Sequence, residues 1–216
     1  TNDLFIAGYF GVTAANGTAS WFTRWDGTNF WSLTAFVPNA FTSFSLDGTG
    51  FTSMALQGTN IYLSGHTSVG ECDNTLTTCT NCDNVMVYDG GYCRIMGTGL
   101  SSNAVAIAAV DTNVYFAGAI TNAGGVAVSG IARWDGTAWS DVGGGVVGRG
   151  IINALTVIGT NLYAGGTFTN VGGVPANCMA RWDGNSWAAL GSGTVFTTGT
   201  GPVLALTTIG SDLYAG

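Results

Sequence analysis

Short apolar runs alternate with glycine-containing turns along the chain, and no stretch spaces its apolar residues at the 3.6-residue period of a helix. The pattern is clearest over 151–190. One apolar run ends at Val157-Ile158, Gly159-Thr160 turns the chain, and Leu162-Tyr163-Ala164 begins a second run. Two β-prone runs joined by such a turn predict a hairpin. A polar loop over 169–177 leads to a third run, Met179 to Trp182, then Asp183-Gly184, then a fourth run from Trp187 to Leu190. Asp-Gly predicts a tight turn because both residues tolerate left-handed backbone angles. Four short strands in succession predict one antiparallel meander.

The same pattern returns along the sequence. ARWDG at 132–136 and 180–184 matches TRWDG at 23–27, with VYDG at 87–90 as a worn copy. A second phrase alternates with it, and its equivalent positions Leu4, Ile61, Val114, Leu162 and Leu213 lie 57, 53, 48 and 51 residues apart. Self-similarity at this period marks repeat architectures, in which each unit buries its apolar face against its neighbours. Glycine-rich, helix-free meanders of this length point to blades of a β-propeller. The expected fold is all-β, a propeller segment of four-stranded antiparallel blades in one domain over 1–216. The repeats fall at about 1–50, 51–103, 104–150 and 151–202, with a partial one at 203–216. The count is three full blades with partial blades at both ends, so a closed four-blade ring is not expected. Both ends fall inside a repeat phrase and the first residue is not Met, so the chain reads as a piece of a longer protein with at least five blades.

The layout resembles kelch-type propeller repeats: an apolar strand, a strand ending in Gly165-Gly166, a polar loop, an aromatic-Asp turn, then Trp. The stretch LYAGGTFTNVGGVPANCMARWDGNSWAALGSG is similar to repeats of extracellular fungal cell-polarity markers and bacterial surface propellers. The likeness covers 104–216 well, 1–34 recognisably and 35–100 poorly. It implies a propeller outside the cell and does not imply an enzyme.

Composition adds a compartment. Charged residues are only 8%, all five basic residues are Arg, and there are 35 glycines. That charge is far below the ~25% of an ordinary soluble domain, and such a surface suits a secreted or densely assembled protein. A net charge of −7 with scattered Arg argues against nucleic acid, which needs clustered cations. No apolar run approaches the ~20 residues of a spanning helix, so no membrane span is expected in this segment.

Candidate chemistry is sparse. Arg24, Arg133 and Arg181 could fork an anion, but a site is rarely copied into every unit. Trp25-Asp26, Trp134-Asp135 and Trp182-Asp183 are therefore expected to be structural, with Trp filling space between blades and Asp-Gly shaping the turn. The sialidase Asp-box separates its Asp and Gly by one residue, whereas here they are adjacent. A single Glu, Glu71, leaves little for glycosidic acid–base work, so a propeller glycosidase is the weakest reading. Cys72, Cys79, Cys82 and Cys93 fall within 22 residues, in an enlarged loop at about 67–83 and the blade edge after it, and are expected to form two disulfides, with three pairings open. A metal site is the alternative, as Cys79-x-x-Cys82 lacks a matching second pair. Disulfides imply an oxidising compartment. Cys178, in an expected strand position, is read as a buried thiol.

Glu71, Asp73 and Asp83, with Asn74 and Asn84, lack a recognised calcium spacing and read as solvated loop residues. His66 is the only histidine, which removes multi-His metal sites, including the copper site of oxidases built on a kelch-like propeller. Asn16-Gly17-Thr18 is a glycosylation sequon. Phe36, Phe41 and Phe44, in a second departure from the repeat, either cap the core or form an interaction patch. The expected function is an extracellular structural or protein-interaction module of a coat, appendage or filament. It is expected to be non-catalytic and without cofactor, its partners being itself or other surface proteins and, as an alternative, glycans. A carbohydrate-binding propeller using Trp31, Trp139 or Trp187 is the rival, and burial of those indoles would count against it.

Overall fold

The computed structural model describes residues 4–14, 17–32, 51–65, 84–89, 93–194 and 201–216. These are strands and turns without helix, arranged in separate antiparallel sheets. The first sheet has three strands, β1 (Leu4–Ala14), β2 (Gly17–Trp25) and β3 (Phe30–Ser32). The second is a four-stranded meander of β4 (Phe51–Gln57), β5 (Asn60–Gly65), β6 (Val85–Tyr88) and β7 (Cys93–Ile95).

The third sheet holds β8 (Ala104–Val110), β9 (Asn113–Gly118), β12 (Ile131–Trp134) and β13 (Trp139–Asp141). Between β9 and β12 the chain makes a separate two-stranded hairpin, β10 (Asn122–Ala123) and β11 (Val126–Ala127). The fourth sheet repeats this plan with β14 (Ile152–Ile158), β15 (Asn161–Gly166), β18 (Met179–Trp182) and β19 (Trp187–Ala189). Its small hairpin is β16 (Asn170–Val171) and β17 (Val174–Pro175). Finally β20 (Leu206–Ile209) pairs with β21 (Asp212–Ala215).

Strand placement follows the repeated phrases. Leu4 faces Trp25, Ile61 faces Tyr88, Val114 faces Trp134 and Leu162 faces Trp182 across neighbouring strands of their sheets. The first strands of the second, third and fourth sheets carry a shared irregularity. Their register slips between Phe51 and Ser53, between Ala104 and Ala106, and between Ile152 and Ala154. A bulge leaves one residue unpaired and re-aims it. In two sheets that residue reaches the next unit: Thr52 Oγ1 donates to the Ala104 carbonyl at 2.7 Å, and Asn153 Nδ2 to the Val203 carbonyl, ahead of β20, at 3.1 Å. First strands lie against first strands along the series, β4 on β8, β8 on β14 and β14 on β20.

Apolar faces are buried between neighbouring sheets. One core cluster gathers Tyr62 and Val85 from the second sheet with Phe116 and Trp139 from the third. Another gathers Ala117, Ile131 and Val142 from the third unit with Leu162, Phe168 and Trp187 from the fourth. The third sheet therefore supplies part of two cores, as the repeat logic requires.

Three expectations need correction. The loop 169–177 is not wholly irregular, because it contains the β16–β17 hairpin. The fourth strand ends at Ala189, so Leu190 belongs to the following turn. Cys178 is buried as expected but precedes β18 and is left-handed, at φ 64°. There its N–H donates to the Phe168 carbonyl at 2.8 Å and its carbonyl accepts from Gly166 at 2.9 Å, which tie the small hairpin to the sheet.

Candidate functional site

The repeated Arg-Trp-Asp-Gly-x-x-Trp signature joins the last two strands of its sheet. In three sheets the Asp Oδ1 accepts two backbone N–H groups from the turn: Thr28 and Asn29 on Asp26, Thr137 and Ala138 on Asp135, Asn185 and Ser186 on Asp183, all at 2.8–2.9 Å. These bonds favour the ionised form and hold all three carboxyls below the usual range of about 3.8. Only the glycine is left-handed, with φ of 97°, 100° and 97° at Gly27, Gly136 and Gly184. The Asp thus contributes its side-chain oxygen, and not the left-handed backbone expected of it. In the second unit, Asp89 forms an ion pair with Arg94 at 2.8 Å.

The aromatic pair that brackets each turn is in contact. Ring centroids lie 4.7 Å apart for Trp25 and Phe30, 5.1 Å for Trp134 and Trp139, and 5.3 Å for Trp182 and Trp187. The fourth-strand indoles reach back to the preceding unit. Trp139 Nε1 donates to the Met96 carbonyl at 2.7 Å, and Trp187 Nε1 to the Val142 carbonyl at 2.8 Å. Both indoles are buried, with 7% and 6% of their surface exposed. Trp31 is half-buried and donates its Nε1–H to Asp26.

The carbonyls that receive these indoles sit in a recurring exit turn, Met96-Gly97-Thr98-Gly99 and Val142-Gly143-Gly144-Gly145. Each turn is closed by a 3.1 Å bond from the last glycine N–H to the same carbonyl. The small hairpin of the next unit zips onto it: Gly124 N–H donates to Gly99 and Ser101 N–H to Asn122, as Gly172 does to Gly145 and Val147 to Asn170. Backbone bridges pair Leu100 with Ala123 and Val146 with Val171. Glycine is required where the hairpin tip meets the indole, because a Cβ on Gly124 would lie 2.2 Å from Trp139 Cδ1 and one on Gly172 2.4 Å from Trp187 Cδ1. These latches were missed in the sequence, although Gly-x-Gly at 97–99, 143–145 and 191–193 and Asn-x-Gly-Gly-Val at 122–126 and 170–174 were visible there.

The three signature arginines sit on the next-to-last strand of their sheets and face residues of those sheets in register. Arg24 faces Trp31 and Phe5, Arg133 faces Ser140 and Tyr115, and Arg181 faces Ala188 and Tyr163. Arg133 Nε donates to Ser140 Oγ at 2.9 Å, and Arg24 stacks 5.7 Å from the Trp31 ring centre. Asn84 is left-handed and donates its amide to the Leu100 carbonyl at 2.8 Å, a structural task in place of a solvated one. Cys93 opens β7 opposite Tyr88. Asn16, Phe36, Phe41, Phe44, His66, Glu71, Cys72, Asp73, Asn74, Cys79, Cys82 and Asp83 lie outside the described residues.

The geometry is thus that of a joint between units, with the signature aspartates engaged by turn backbone and the Trp139 and Trp187 indoles by the unit before. A scan of protein-family models finds no match to this chain, and a search of curated proteins finds no similar sequence.

Proposed function

We propose that this chain is an extracellular, non-catalytic β-propeller segment acting as a structural or protein-interaction scaffold of a surface coat, appendage or filament. One observation carries the reading: recurring signature residues are spent on the protein's own architecture, the aspartates on shaping their turns and the fourth-strand indoles on joining units. The carboxylates of Asp26, Asp135 and Asp183 are occupied by backbone N–H groups, and the indoles of Trp139 and Trp187 by carbonyls of the preceding unit. Successive first strands lying against one another support a radial arrangement, since strands nearest a propeller axis are neighbours in that way.

The compartment rests on the cluster Cys72, Cys79, Cys82 and Cys93 and on a charge-poor, lysine-free composition. Buried Trp139 and Trp187 leave the carbohydrate-stacking reading without two of its three residues. Immunogold labelling of intact, unpermeabilised cells, combined with surface cross-linking, tests the proposal. The expected result is label on the outer surface and cross-links to other surface proteins; label confined to the interior would refute it.

A further inference from the structure

The two complete joints differ where the exit turn runs on into the next sheet. Between the bridge at Leu100 and Ala104 at the head of β8 stand three residues, 101–103, whereas between the bridge at Val146 and Ile152 at the head of β14 stand five, 147–151. Ser101 fastens the shorter connector to the small hairpin, its Oγ accepting the N–H groups of Thr121 at 2.9 Å and Asn122 at 3.1 Å. The longer connector has Val147 in that place. It is rooted at both ends: Val147 N–H donates to the Asn170 carbonyl at 3.1 Å, Ile151 N–H to Thr167 Oγ1 at 3.0 Å, and Thr167 N–H to the Ile151 carbonyl at 2.9 Å. Gly150 seats it on the hairpin base, where a Cβ would lie 2.6 Å from Phe168 Cα.

The side chains between these anchors face water. Val147 is 54% exposed and Ile151 39%, and Arg149 between them is exposed as well. Both sheets that the connector joins have all four strands, so this exposure does not come from an end of the chain. Outside the first sheet and residues 201–216, the exposed large apolar side chains among the described residues are Leu56, Val105, Val147 and Ile151. The last three belong to one joint, since the register that brings Thr52 to the Ala104 carbonyl places Val105 of β8 beside Ile152 of β14. Arg149 also differs from other arginines. Arg24 stacks on Trp31, Arg94 pairs with Asp89 and Arg133 bonds to Ser140, whereas Arg149 has no hydrogen bond or ion pair among the described residues.

We infer that the 147–151 connector, with Val105 beside it, is a docking surface for a protein segment that carries a carboxylate between apolar side chains. Charge complementarity selects the carboxylate, because a guanidinium without a partner forks two acceptor oxygens. The apolar flanks select the rest: Val147 and Ile151 gain by leaving water only if the partner covers them with apolar surface. Gly148 keeps the main chain between Val147 and Arg149 bare, since a Cβ there meets nothing within 4 Å, and a partner can approach closely. A lone cation on a chain of net charge −7 repels long polyanions, which need clustered cations. Recognition at a repeat-breaking loop held on rigid sheets is also where a scaffold carries it. The inference rests on the scaffold reading and names the chemistry of one partner contact.

Panning a phage-displayed library of random peptides on the immobilised full chain, then resynthesising the enriched peptides for fluorescence anisotropy, tests this. Enriched peptides are expected to hold Asp or Glu between apolar residues. Arg149→Gln in the chain should weaken their binding about tenfold, as should Val147→Thr combined with Ile151→Thr. All three side chains are exposed or partly so, and unchanged melting temperatures confirm that the variants keep the fold. No enrichment, enriched peptides without a carboxylate, or binding indifferent to both variants overturns the inference. Heparin binding that Arg149→Gln abolishes would assign the cation to a polyanionic glycan. Self-association in sedimentation velocity that Arg149→Gln abolishes would assign the surface to a second copy. Either result overturns the partner named here. Failure of the peptides leaves the surface labelling result standing, and failure of the labelling leaves the peptide result standing.

Discussion

Alanine substitutions at the Gly172-Gly173 hairpin tip separate the cost of backbone strain from the cost of invading the latch. Both glycines are left-handed, with φ of 59° and 79°, so alanine costs about 1 kcal/mol at either position from strain alone. At Gly173 the added Cβ meets nothing within 4 Å. At Gly172 it would lie 2.4 Å from Trp187 Cδ1 and 2.7 Å from the Gly143 carbonyl. The ring cannot swing aside without giving up its bond to Val142, and the carbonyl belongs to the exit turn. Overpacking of this kind adds about 1–3 kcal/mol. Gly172→Ala is therefore expected to cost about 2–4 kcal/mol against about 1 kcal/mol for Gly173→Ala, a gap of about 2–12 °C in melting temperature for a chain of this size. Urea unfolding followed by tryptophan fluorescence, with thermal melts, measures both. Gly124→Ala and Gly125→Ala repeat the comparison around Trp139, where the corresponding approach is 2.2 Å against open space. Equal losses within each pair would refute the latch as drawn.

Trp139→Phe is expected to destabilise the chain by about 1–3 kcal/mol in urea titrations, from a lost buried hydrogen bond and a smaller ring; a loss below about 0.5 kcal/mol would mark Trp139 as a surface residue. The lowered pKa values of Asp26, Asp135 and Asp183 contribute stability that is present above about pH 3.8 and lost as pH falls through their folded values. NMR titration should place their midpoints below 3.8, and Asp→Asn changes at the three sites should flatten the acid limb of the stability curve. Val105, 45% exposed, is the bulge residue that corresponds to Thr52 and Asn153. Val105→Asn is expected to stabilise the chain by about 0.5–1 kcal/mol by reaching the next unit's first strand, and a neutral or destabilising melt would count against that bond. Cys178 should resist iodoacetamide in the folded chain and react on unfolding, as peptide mapping by mass spectrometry can show.

The meander was legible in the sequence because its signals are local. Turn residues such as Gly159-Thr160 and Asp183-Gly184, set between β-prone runs, mark each hairpin without knowledge of its neighbours. The latch was less legible because it joins residues 43 and 45 positions apart, Trp139 with Met96 and Trp187 with Val142. An indole expected between units was foreseeable from its repetition, but the carbonyl it would find was not. The Gly-Gly tips looked like ordinary turn glycines, and their second task, letting an indole approach the backbone, depends on a fold already assembled. Cys178 shows the opposite failure: its neighbours suggested a strand, and hydrogen bonds to Phe168 and Gly166 hold it in a left-handed turn instead.

Hydrogen exchange at the indole nitrogens, followed by NMR with each tryptophan assigned, tests most directly whether the signature is joinery between units. Trp139 and Trp187 Nε1–H are buried and bonded to Met96 and Val142, so their exchange should be slowed to the rate of unit opening, and Gly172→Ala should accelerate Trp187 while sparing Trp139. Exchange of both indoles at the rate of free tryptophan would contradict the account.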